Sequence, residues 1–323
     1  MSGLSKIMRA GLVGAAFAAV LASSAFAQME LKIMAPAAPG GGWDQTARAM
    51  QQALVAEKIA RSVQVTNVAG AGGTVGIAQF VNGAKGDGNQ LMVSGFVMVG
   101  AILTNKAPVS LDQVTPIARL TEETQVIVVP ANSPIKSAKD LAEAVKKDVS
   151  KVTWAGGSAG GIDHIMAALF AGSAGADASK VNYIPFSGGG ESLAAILGGK
   201  VTAGISGYGE YEGQIKSGKL RALGVTSPQR LPGVDIPTFK EQGIDLVLTN
   251  WRGVMAPPGI TAEQKKALGD AIEKMVKSAT WKDILKQKGW DDAYLPADAF
   301  TKFLKDEQAR VNTVLKSVGL VKS

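Results

Sequence analysis

The sequence has no cysteine and only one histidine, His164, among its 323 residues. Without cysteine it can hold no disulfide framework, thiolate nucleophile, iron–sulfur cluster or cysteine-ligated zinc site. With one imidazole it cannot build a paired-histidine metal site, and acid–base chemistry near neutral pH would need that ring or a carboxyl group with a strongly shifted pKa. These shortages favour binding over catalysis, and they indicate neither a metal nor another cofactor.

Charged residues make up 19% of the chain, and the net charge is +7. From Thr261 onward, basic and acidic residues alternate on what read as amphipathic helices. This pattern is typical of a solvated helical face, whereas a nucleic-acid surface would show a one-sided basic stripe. We therefore predict no nucleic-acid partner.

The first 27 residues read as a secretory signal peptide. Lys6 and Arg9 precede an apolar run from Ala10 to Leu21, and the segment ends in Ala25-Phe26-Ala27, an A-x-A cleavage site. This run falls short of the roughly 20 apolar residues that span a bilayer, and no later segment is long enough. We expect cleavage after Ala27 and a bacterial periplasmic location.

The rest of the chain alternates β-rich runs with helical patterns, which predicts an α/β fold with largely parallel sheets. Ser137 and Asp140 stand at N-cap and N3 spacing, so a helix is expected over 137–147. Two long helical stretches, 261–278 and 296–318, flank a short run at 290–295 near the end. The predicted strands are 31–35, 63–68, 91–94, 152–155, 181–186, 201–206 and 220–226.

Two extended segments, Gln125–Pro130 and Asp245–Pro257, lack a following helix of the usual kind. If the chain leaves one lobe through the first and returns through the second, two crossing strands form a hinge over a cleft. The lobes would then comprise residues 28–127 plus 252–323, and residues 128–251. The alternative is that both segments are ordinary strands of one continuous domain.

Glycine is in excess: the chain has 39, against a usual share of about 7%. Many of these glycines lie in four strand-to-helix turns, where the first N–H groups of each helix are unpaired and partly positive. Each turn is a candidate anion cradle, although a single one is also ordinary tight-turn chemistry. The four turns are 39–44, 67–76, 156–164 and 187–192.

Motifs of known enzymes come close to matching but fail. Gly156-Gly157-Ser158-Ala159-Gly160 fits the G-x-S-x-G nucleophile elbow, but His164 lies in the same helix rather than after a distant acidic residue. The Gly70–Gly76 turn departs from G-x-G-x-x-G by one position, and no G-x-x-x-x-G-K-[ST] loop exists. The alternative to a binding function is an exported enzyme that processes a carboxylate with Ser158, Asp163 and His164.

Several single residues have two interpretations. His164 is either a hydrogen-bonded structural residue near the cleft or a ligand contact. Asp44 and Asp163 follow glycine turns, where an acidic side chain stiffens the loop and caps the helix, and a water-mediated ligand contact is also open. Trp43 and Trp251, like Trp154, could wall a cleft or lie in a core.

In order and spacing, several segments resemble the extracytoplasmic solute receptors of tripartite tricarboxylate transporters, the TctC or Bug proteins. They include Pro36 to Arg48, Gly70 to Gly76, Gly156 to His164, Gly218-Lys219-Leu220-Arg221 and the segment from Trp251 to Pro257. The resemblance covers essentially the whole mature chain. It implies a non-enzymatic, two-lobed periplasmic binding protein of type II, acting as a monomer and delivering its ligand to a membrane permease.

The resemblance also implies a small carboxylate ligand bound by backbone amides, ordered water and hydroxyl groups. Gly198-Gly199-Lys200 lacks the aspartate that many relatives carry after the paired glycine. Together with Gly42-Trp43 and Gly207-Tyr208-Gly209-Glu210, this departure resembles the tricarboxylate-receptor branch and favours a citrate-like di- or tricarboxylate. The predicted ligand-binding residues are Gly41, Gly42, Trp43, Asp44, Gly72, Gly73, Thr74, Ser94, Ser158, Ala159, Asp163, His164, Ser187 and Gly188.

Overall fold

A computed structural model of the chain describes residues 29–186 and 189–321. Two β-sheets with helices on their faces form two lobes, as the alternating pattern predicts. The segments predicted as strands form strands whose ends lie within two residues of the expected positions.

The first sheet has six strands and carries the first lobe. β1 pairs in parallel with β2 and β3, whereas β10 pairs antiparallel with β3 and β4, and β11 antiparallel with β4. In spatial order the strands are β11 (Asp291–Pro296), β4 (Thr115–Glu122), β10 (Arg252–Ala256), β3 (Gln90–Gly95), β1 (Glu30–Ala35) and β2 (Ser62–Asn67).

The second sheet has five strands and carries the second lobe. β6 is parallel to β7 and β8, but β5 runs antiparallel to β8 and β9. The expectation of mostly parallel sheets is therefore wrong: both sheets are mixed, because β10 and β11 in the first sheet and β5 in the second run against their neighbours. In spatial order the strands are β7 (Asn182–Pro185), β6 (Thr153–Gly156), β8 (Ala203–Gly207), β5 (Gln125–Pro130) and β9 (Leu220–Val225).

The helices follow the predicted signals where capping residues mark them. The Ser137 hydroxyl accepts a hydrogen bond from the Asp140 N–H, and the Asp140 carboxylate accepts one from the Ser137 N–H, which confirms the predicted helix start. Thr261 and Gln264 form the same reciprocal cap. The described helices are α1 (Gly42–Ala56), α2 (Thr74–Gly83), α3 (Phe96–Thr104), α4 (Ala138–Lys147), α5 (Ile162–Ser173), α6 (Gly189–Leu197), α7 (Tyr208–Lys216), α8 (Ala262–Lys277), α9 (Ala279–Lys288) and α10 (Ala297–Ser317).

Two short segments carry the chain between the lobes. Glu123 and Asn250 exchange backbone hydrogen bonds of 3.1 and 2.9 Å, and Thr124 pairs with Thr249 in an antiparallel bridge. The crossing thus lies just before β5 and just before β10. Residues 125–127, which the sequence-based boundary gives to the first lobe, lie in the second sheet.

The lobes also touch away from this hinge. Gly100 on α3 packs so closely against the carbonyl oxygen of Gly160 that no Cβ would fit between them, and Gly209 on α7 lies beside the carbonyl oxygen of Lys288. Over residues 29–186 and 189–321, no helix combines the length and apolar character needed to cross a membrane.

Candidate functional site

A cavity of about 890 Å³ lies between the lobes and opens to solvent. This volume suits a small molecule, since ligand sites in proteins fall at about 300–1,000 Å³. Its described lining comes from both lobes and from the hinge: Pro36–Trp43, Gln45, Ala69–Gly73, Val97, Gln125, Gly157, Ser158, Gly161–Asp163, Phe186, Gly190, Ser192, Leu193, Ile205–Gly207, Glu210, Asn250 and Arg252.

The loop after β1 forms one part of the first-lobe wall. Gly41 is the N-cap residue of α1 and has an extended backbone. As a glycine it has no side chain that could accept a hydrogen bond from the first N–H groups of the helix. Gly42 leaves room for the Arg252 guanidinium, because a Cβ there would stand 2.6 Å from Nη2. This wall therefore presents backbone N–H groups and the positive end of a helix dipole.

Asp44 holds this loop from behind and is not among the lining residues. Its carboxylate accepts hydrogen bonds from the Gly40 N–H at 2.8 Å, the Arg48 Nε at 3.0 Å and the Asn67 Nδ2 at 2.9 Å. Burial by itself would raise the pKa of Asp44, but these bonds bring that pKa below its ordinary value. The carboxylate charge of Asp44 is therefore compensated within the wall. This geometry matches the interpretation in which Asp44 stiffens the loop and does not contact the ligand directly.

The second glycine loop adds the other part of this wall. Gly72 and Gly73 take left-handed conformations with φ of 63° and 91°, which favour glycine. The Trp43 ring lies directly beneath, since a Cβ at Gly73 would stand 2.6 Å from its Cζ3. Trp43 is 9% exposed and lines the cavity, whereas Thr74 turns its hydroxyl inward to the Ala71 carbonyl at 3.0 Å.

The second-lobe wall begins at the loop between β6 and α5. Ser158 is exposed there and lines the cavity. Asp163 in the first turn of α5 also lines it, and one of its carboxylate oxygens accepts a hydrogen bond from the Gly157 N–H at 2.7 Å. The Tyr183 hydroxyl donates to the Gly157 carbonyl at 2.8 Å, so the loop and the carboxyl group are held in place together.

The remainder of this wall comes from α6, β8 and α7. The Ser192 and Tyr211 hydroxyls share a buried hydrogen bond of 2.9 Å. Ser206 at the end of β8 donates to Glu210 Oε2 at 2.9 Å. The predicted site residues Ser187 and Gly188 lie outside the described residues.

A buried ion pair lies where the hinge meets the cavity. The Arg252 guanidinium donates from Nη1 to Glu123 Oε1 at 3.0 Å and from Nη2 to Glu123 Oε2 at 2.7 Å, with the two residues 3% and 8% exposed. The guanidinium also lies over the Trp290 ring, 5.1 Å from its centroid. Because Glu123 precedes β5 and Arg252 opens β10, the pair ties the two crossing segments together.

The acidic side chains of the second-lobe wall have raised pKa values. Desolvation, opposed by the Gly157 hydrogen bond and reinforced by the charges of Glu210 and Glu123, raises the pKa of Asp163 to about 7. Desolvation and the Glu123 charge also raise the pKa of Glu210 above its ordinary value. The first-lobe lining contains no acidic side chain among its described residues, so the two walls differ in electrostatic character.

His164 packs against the cleft loop and does not line the cavity. Its Nδ1 accepts a hydrogen bond from the Gly160 N–H at 3.1 Å, and its ring stacks on Tyr183 with centroids 4.3 Å apart. Burial lowers the pKa of His164 to about 4, so the ring is neutral at pH 7. In the described chain, no hydrogen bond joins Ser158, Asp163 and His164 into a catalytic relay.

The structure therefore brings some of the predicted residues to the cavity and leaves others in the walls. Ser94 is fully buried with its hydroxyl 3.5 Å from the Met98 sulfur, and Trp251 is buried with its Nε1 donating to Glu307 at 3.1 Å. The predicted residues that line the cavity are Gly41, Gly42, Trp43, Gly72, Gly73, Ser158 and Asp163; those described that do not are Asp44, Thr74, Ser94, Ala159 and His164.

Sequence reasoning predicted Asp163 but missed three other charged side chains at the cavity and the hinge. Glu123, Glu210 and Arg252 were not among the predicted ligand-binding residues. Two signals in the sequence were available. Arg252 is a lone arginine in the apolar strand that follows Trp251, and Glu210 comes just after β8, at the sheet edge that also carries the glycine turns.

Two α/β lobes, joined by two crossing segments and enclosing a cleft lined by helix N-termini, define the class of periplasmic binding proteins. A family model described as the tripartite tricarboxylate transporter family receptor, TctC, matches residues 46–320. The chain belongs to this family. It is a family of solute-binding receptors and not of enzymes, as the sequence predicts.

Individual relatives align over nearly the whole chain. Protein BugT of Bordetella pertussis is 28% identical over 327 residues, covering 99% of this chain and 98% of its own. The crystal structure of a TctC solute-binding protein from Polaromonas is 27% identical with a TM-score of 0.69, covering 89% of this chain and 98% of that one. The periplasmic binding protein BugD, at 24% identity, shares the fold with a TM-score of 0.80 over 91% of this chain and 99% of its own.

Proposed function

We propose that the protein is a periplasmic receptor that captures a small di- or tricarboxylate between its lobes and delivers it to the membrane permease of a tripartite tricarboxylate transporter. The observation that carries the proposal is the first-lobe wall, where the glycine loops before α1 and α2 line the cavity with backbone and with no acidic side chain. Helix N-termini of this kind hold anions through N–H groups and the helix dipole.

The ligand-binding set that we propose starts from the predicted residues at the cavity: Gly41, Gly42, Gly72 and Gly73 in the first lobe and Ser158 in the second. Closure of the lobes would exclude water and strengthen the hydrogen bonds to the carboxylate. The lobe boundaries that we propose follow the hinge at Glu123–Asn250. Export with cleavage after Ala27 and a monomeric receptor belong to the same proposal.

A melting-temperature screen tests the proposal with citrate, tricarballylate, succinate, malate, adipate, glutamate and an aromatic acid. A ligand at 100 times its dissociation constant adds about 2.7 kcal/mol of stability, which gives a clear shift. A receptor returns the ligand chemically unchanged, which chromatography of the incubated ligand checks. Absence of a shift with every carboxylate would contradict the proposal.

A pair of variants locates the binding site. Ser158→Trp places a large ring in the cavity from an exposed position, so the fold should persist while the ligand-induced shift disappears. Ser317→Trp is the matched control, because Ser317 is exposed at the end of α10 and outside the cavity lining. Ligand stabilisation that survives in Ser158→Trp would remove Ser158 from the site.

A further inference from the structure

The first turn of α7 lies where the second lobe meets both the hinge and the first lobe. The Tyr208 N–H donates to the carbonyl oxygen of Thr124, in the first crossing segment, at 2.9 Å. Gly209 lies against the carbonyl oxygen of Lys288 at the end of α9, and an added Cβ would stand 3.0 Å from that oxygen. A rotation of one lobe against the other therefore has to displace this turn from the hinge or from α9.

The Glu123 carboxylate stands between this turn and Arg252. On one side it accepts two hydrogen bonds from the Arg252 guanidinium, which belongs to the first sheet. On the other side it lies against Gly207, the N-cap residue of α7, where an added Cβ would stand 3.1 Å from Oε2. Because a helix N-terminus is partly positive and favours a carboxylate, Glu123 is attracted from both lobes.

The ion pair also stands between two cavities. Arg252 lines the main cavity and a side cavity of about 250 Å³, whereas Glu123 lines only the side cavity. The lobes are thus not closely packed beside the pair, and a change in their angle can enlarge or close this space. Both lobes bound the side cavity: Gln45, Gln287, Lys288 and Trp290 belong to the first lobe, and Gly209 and Glu210 to the second.

The groups that face the pair from the second lobe are acidic. Desolvation, and after it the charge of Glu123, raises the pKa of Glu210 on α7, while the charge of Arg252 opposes this rise. Desolvation raises the pKa of Asp163 on α5 to about 7, and the charges of Glu210 and Glu123 add to this rise. Glu123 therefore repels the acids of the second lobe, and Arg252 offsets this repulsion.

Other charged groups near the pair do not replace this guanidinium. Lys288 is exposed, and its Nζ donates to the neutral Oε1 of Gln45 at 3.1 Å. Asp291 in β11 adds negative charge on the first lobe, where desolvation and the charges of Glu122 and Glu123 raise its pKa. Loss of the guanidinium would therefore leave an excess of negative charge around the hinge.

We propose that Arg252 is an electrostatic lock of the hinge: by neutralising Glu123 it holds the first turn of α7 against the first lobe and sets the angle between the lobes in the free protein. Arg252 is thus a positioning residue, which acts on the second lobe through Glu123. The inference concerns the protein without a ligand. It goes beyond the proposed receptor function and does not depend on which solute is bound.

The lock predicts opposite effects for its two members. Without the guanidinium, Glu123 faces Glu210 and Asp163 as a like charge, so the lobes should move apart. Without the Glu123 charge, Arg252 is free to pair with Glu210 across the lobes, so the lobes should stay as close as in the parent protein or come closer. A purely structural role would lower the stability of both variants and leave the interlobe distance of the folded protein unchanged.

Pulsed electron paramagnetic resonance measures this distance in the free protein. The chain has no cysteine, so Gln79→Cys and Ala194→Cys introduce two spin labels at exposed positions on α2 of the first lobe and α6 of the second. In this background Arg252→Met should lengthen the mean distance beyond the parent distribution, whereas Glu123→Gln should not lengthen it. The double variant Arg252→Met with Glu123→Leu should return the distance toward the parent value, because no unpaired charge remains at these positions.

Arg221→Met is the matched control. Arg221 is a half-buried arginine whose guanidinium donates within the second lobe alone, to the carbonyl oxygens of Ala131, Ser133 and Ile135. Its loss should leave the interlobe distance at the parent value. Circular dichroism checks that each variant is folded, and Arg252→Gln takes the place of Arg252→Met if the methionine variant does not fold.

Two results would overturn the lock. One is a parent-like distance in a folded Arg252→Met or Arg252→Gln variant. The other is a Glu123→Gln variant whose lobes move apart, which decides the matter even if neither Arg252 variant folds. Either result leaves the receptor function standing, because the melting screen tests that function separately. A negative melting screen together with the expected distance changes would remove the receptor function and keep the lock.

Discussion

Removing Arg252 should cost more stability than removing its partner Glu123. The two are joined by hydrogen bonds of 3.0 and 2.7 Å, and their side chains are only 4% and 10% exposed. Breaking a buried ion pair by deleting one partner costs about 3–5 kcal/mol, because the remaining charge is left uncompensated. That range applies to Arg252→Met, where Glu123 would stay buried near the acidic groups Glu210 and Asp163.

Glu123→Gln leaves a different residue behind. Arg252 keeps the face of Trp290 at 5.1 Å and the nearby carboxyl group of Glu210, whose pKa its charge already lowers in part. Both contacts compensate the freed guanidinium. We therefore expect this variant to lose about 1–3 kcal/mol, the cost of one unsatisfied buried group.

Urea unfolding at neutral pH, followed by circular dichroism and tryptophan fluorescence, measures both losses. The double variant Arg252→Met with Glu123→Leu should recover part of the stability of the single Arg252 variant, because it leaves no unpaired charge between these positions. Equal losses in the two single variants, or losses below about 1 kcal/mol in both, would refute the reasoning that the hinge pair is buried among other acids.

Two further expectations follow from the cleft. Gly100→Ala should keep the lobes apart, because the new methyl group meets the Gly160 carbonyl. Small-angle scattering of this variant should show no ligand-induced compaction, whereas the control Gly172→Ala, with open space around its new methyl group, should still compact. In the Asp163→Asn variant, the free energy of unfolding should increase as pH rises from about 4.5 to about 6.5. At the acid end of this range the unfolded chain binds a proton at His164, whereas the folded chain keeps that ring neutral, so acid favours unfolding. In the unmodified protein the raised pKa of Asp163 opposes this slope, so a variant profile as flat as the parent's contradicts the assignment.

Local signals explain how much of the fold the sequence predicts. The capping pair Ser137 and Asp140 lies within four residues, and its reciprocal hydrogen bonds form as expected. Strand direction has no such local signal, because an apolar run reads the same whichever way its neighbour points. The antiparallel strands β5 and β10 follow the crossing at Glu123 and Asn250, which brings together residues 127 positions apart along the chain.

The same distinction applies to the two walls of the site. The first-lobe wall consists of backbone amides at glycine turns, so a sequence pattern is enough to predict it. The second-lobe wall depends on Asp163 and Glu210, which are separated by β7, α6 and β8 and are brought to one cavity by the order of the second sheet. Arg252 is bound to Glu123 across the hinge and its charge also acts on Glu210, an arrangement that only the assembled fold shows. A glycine pattern therefore predicts an anion cradle, whereas the charges on the opposite wall follow only from the assembled fold.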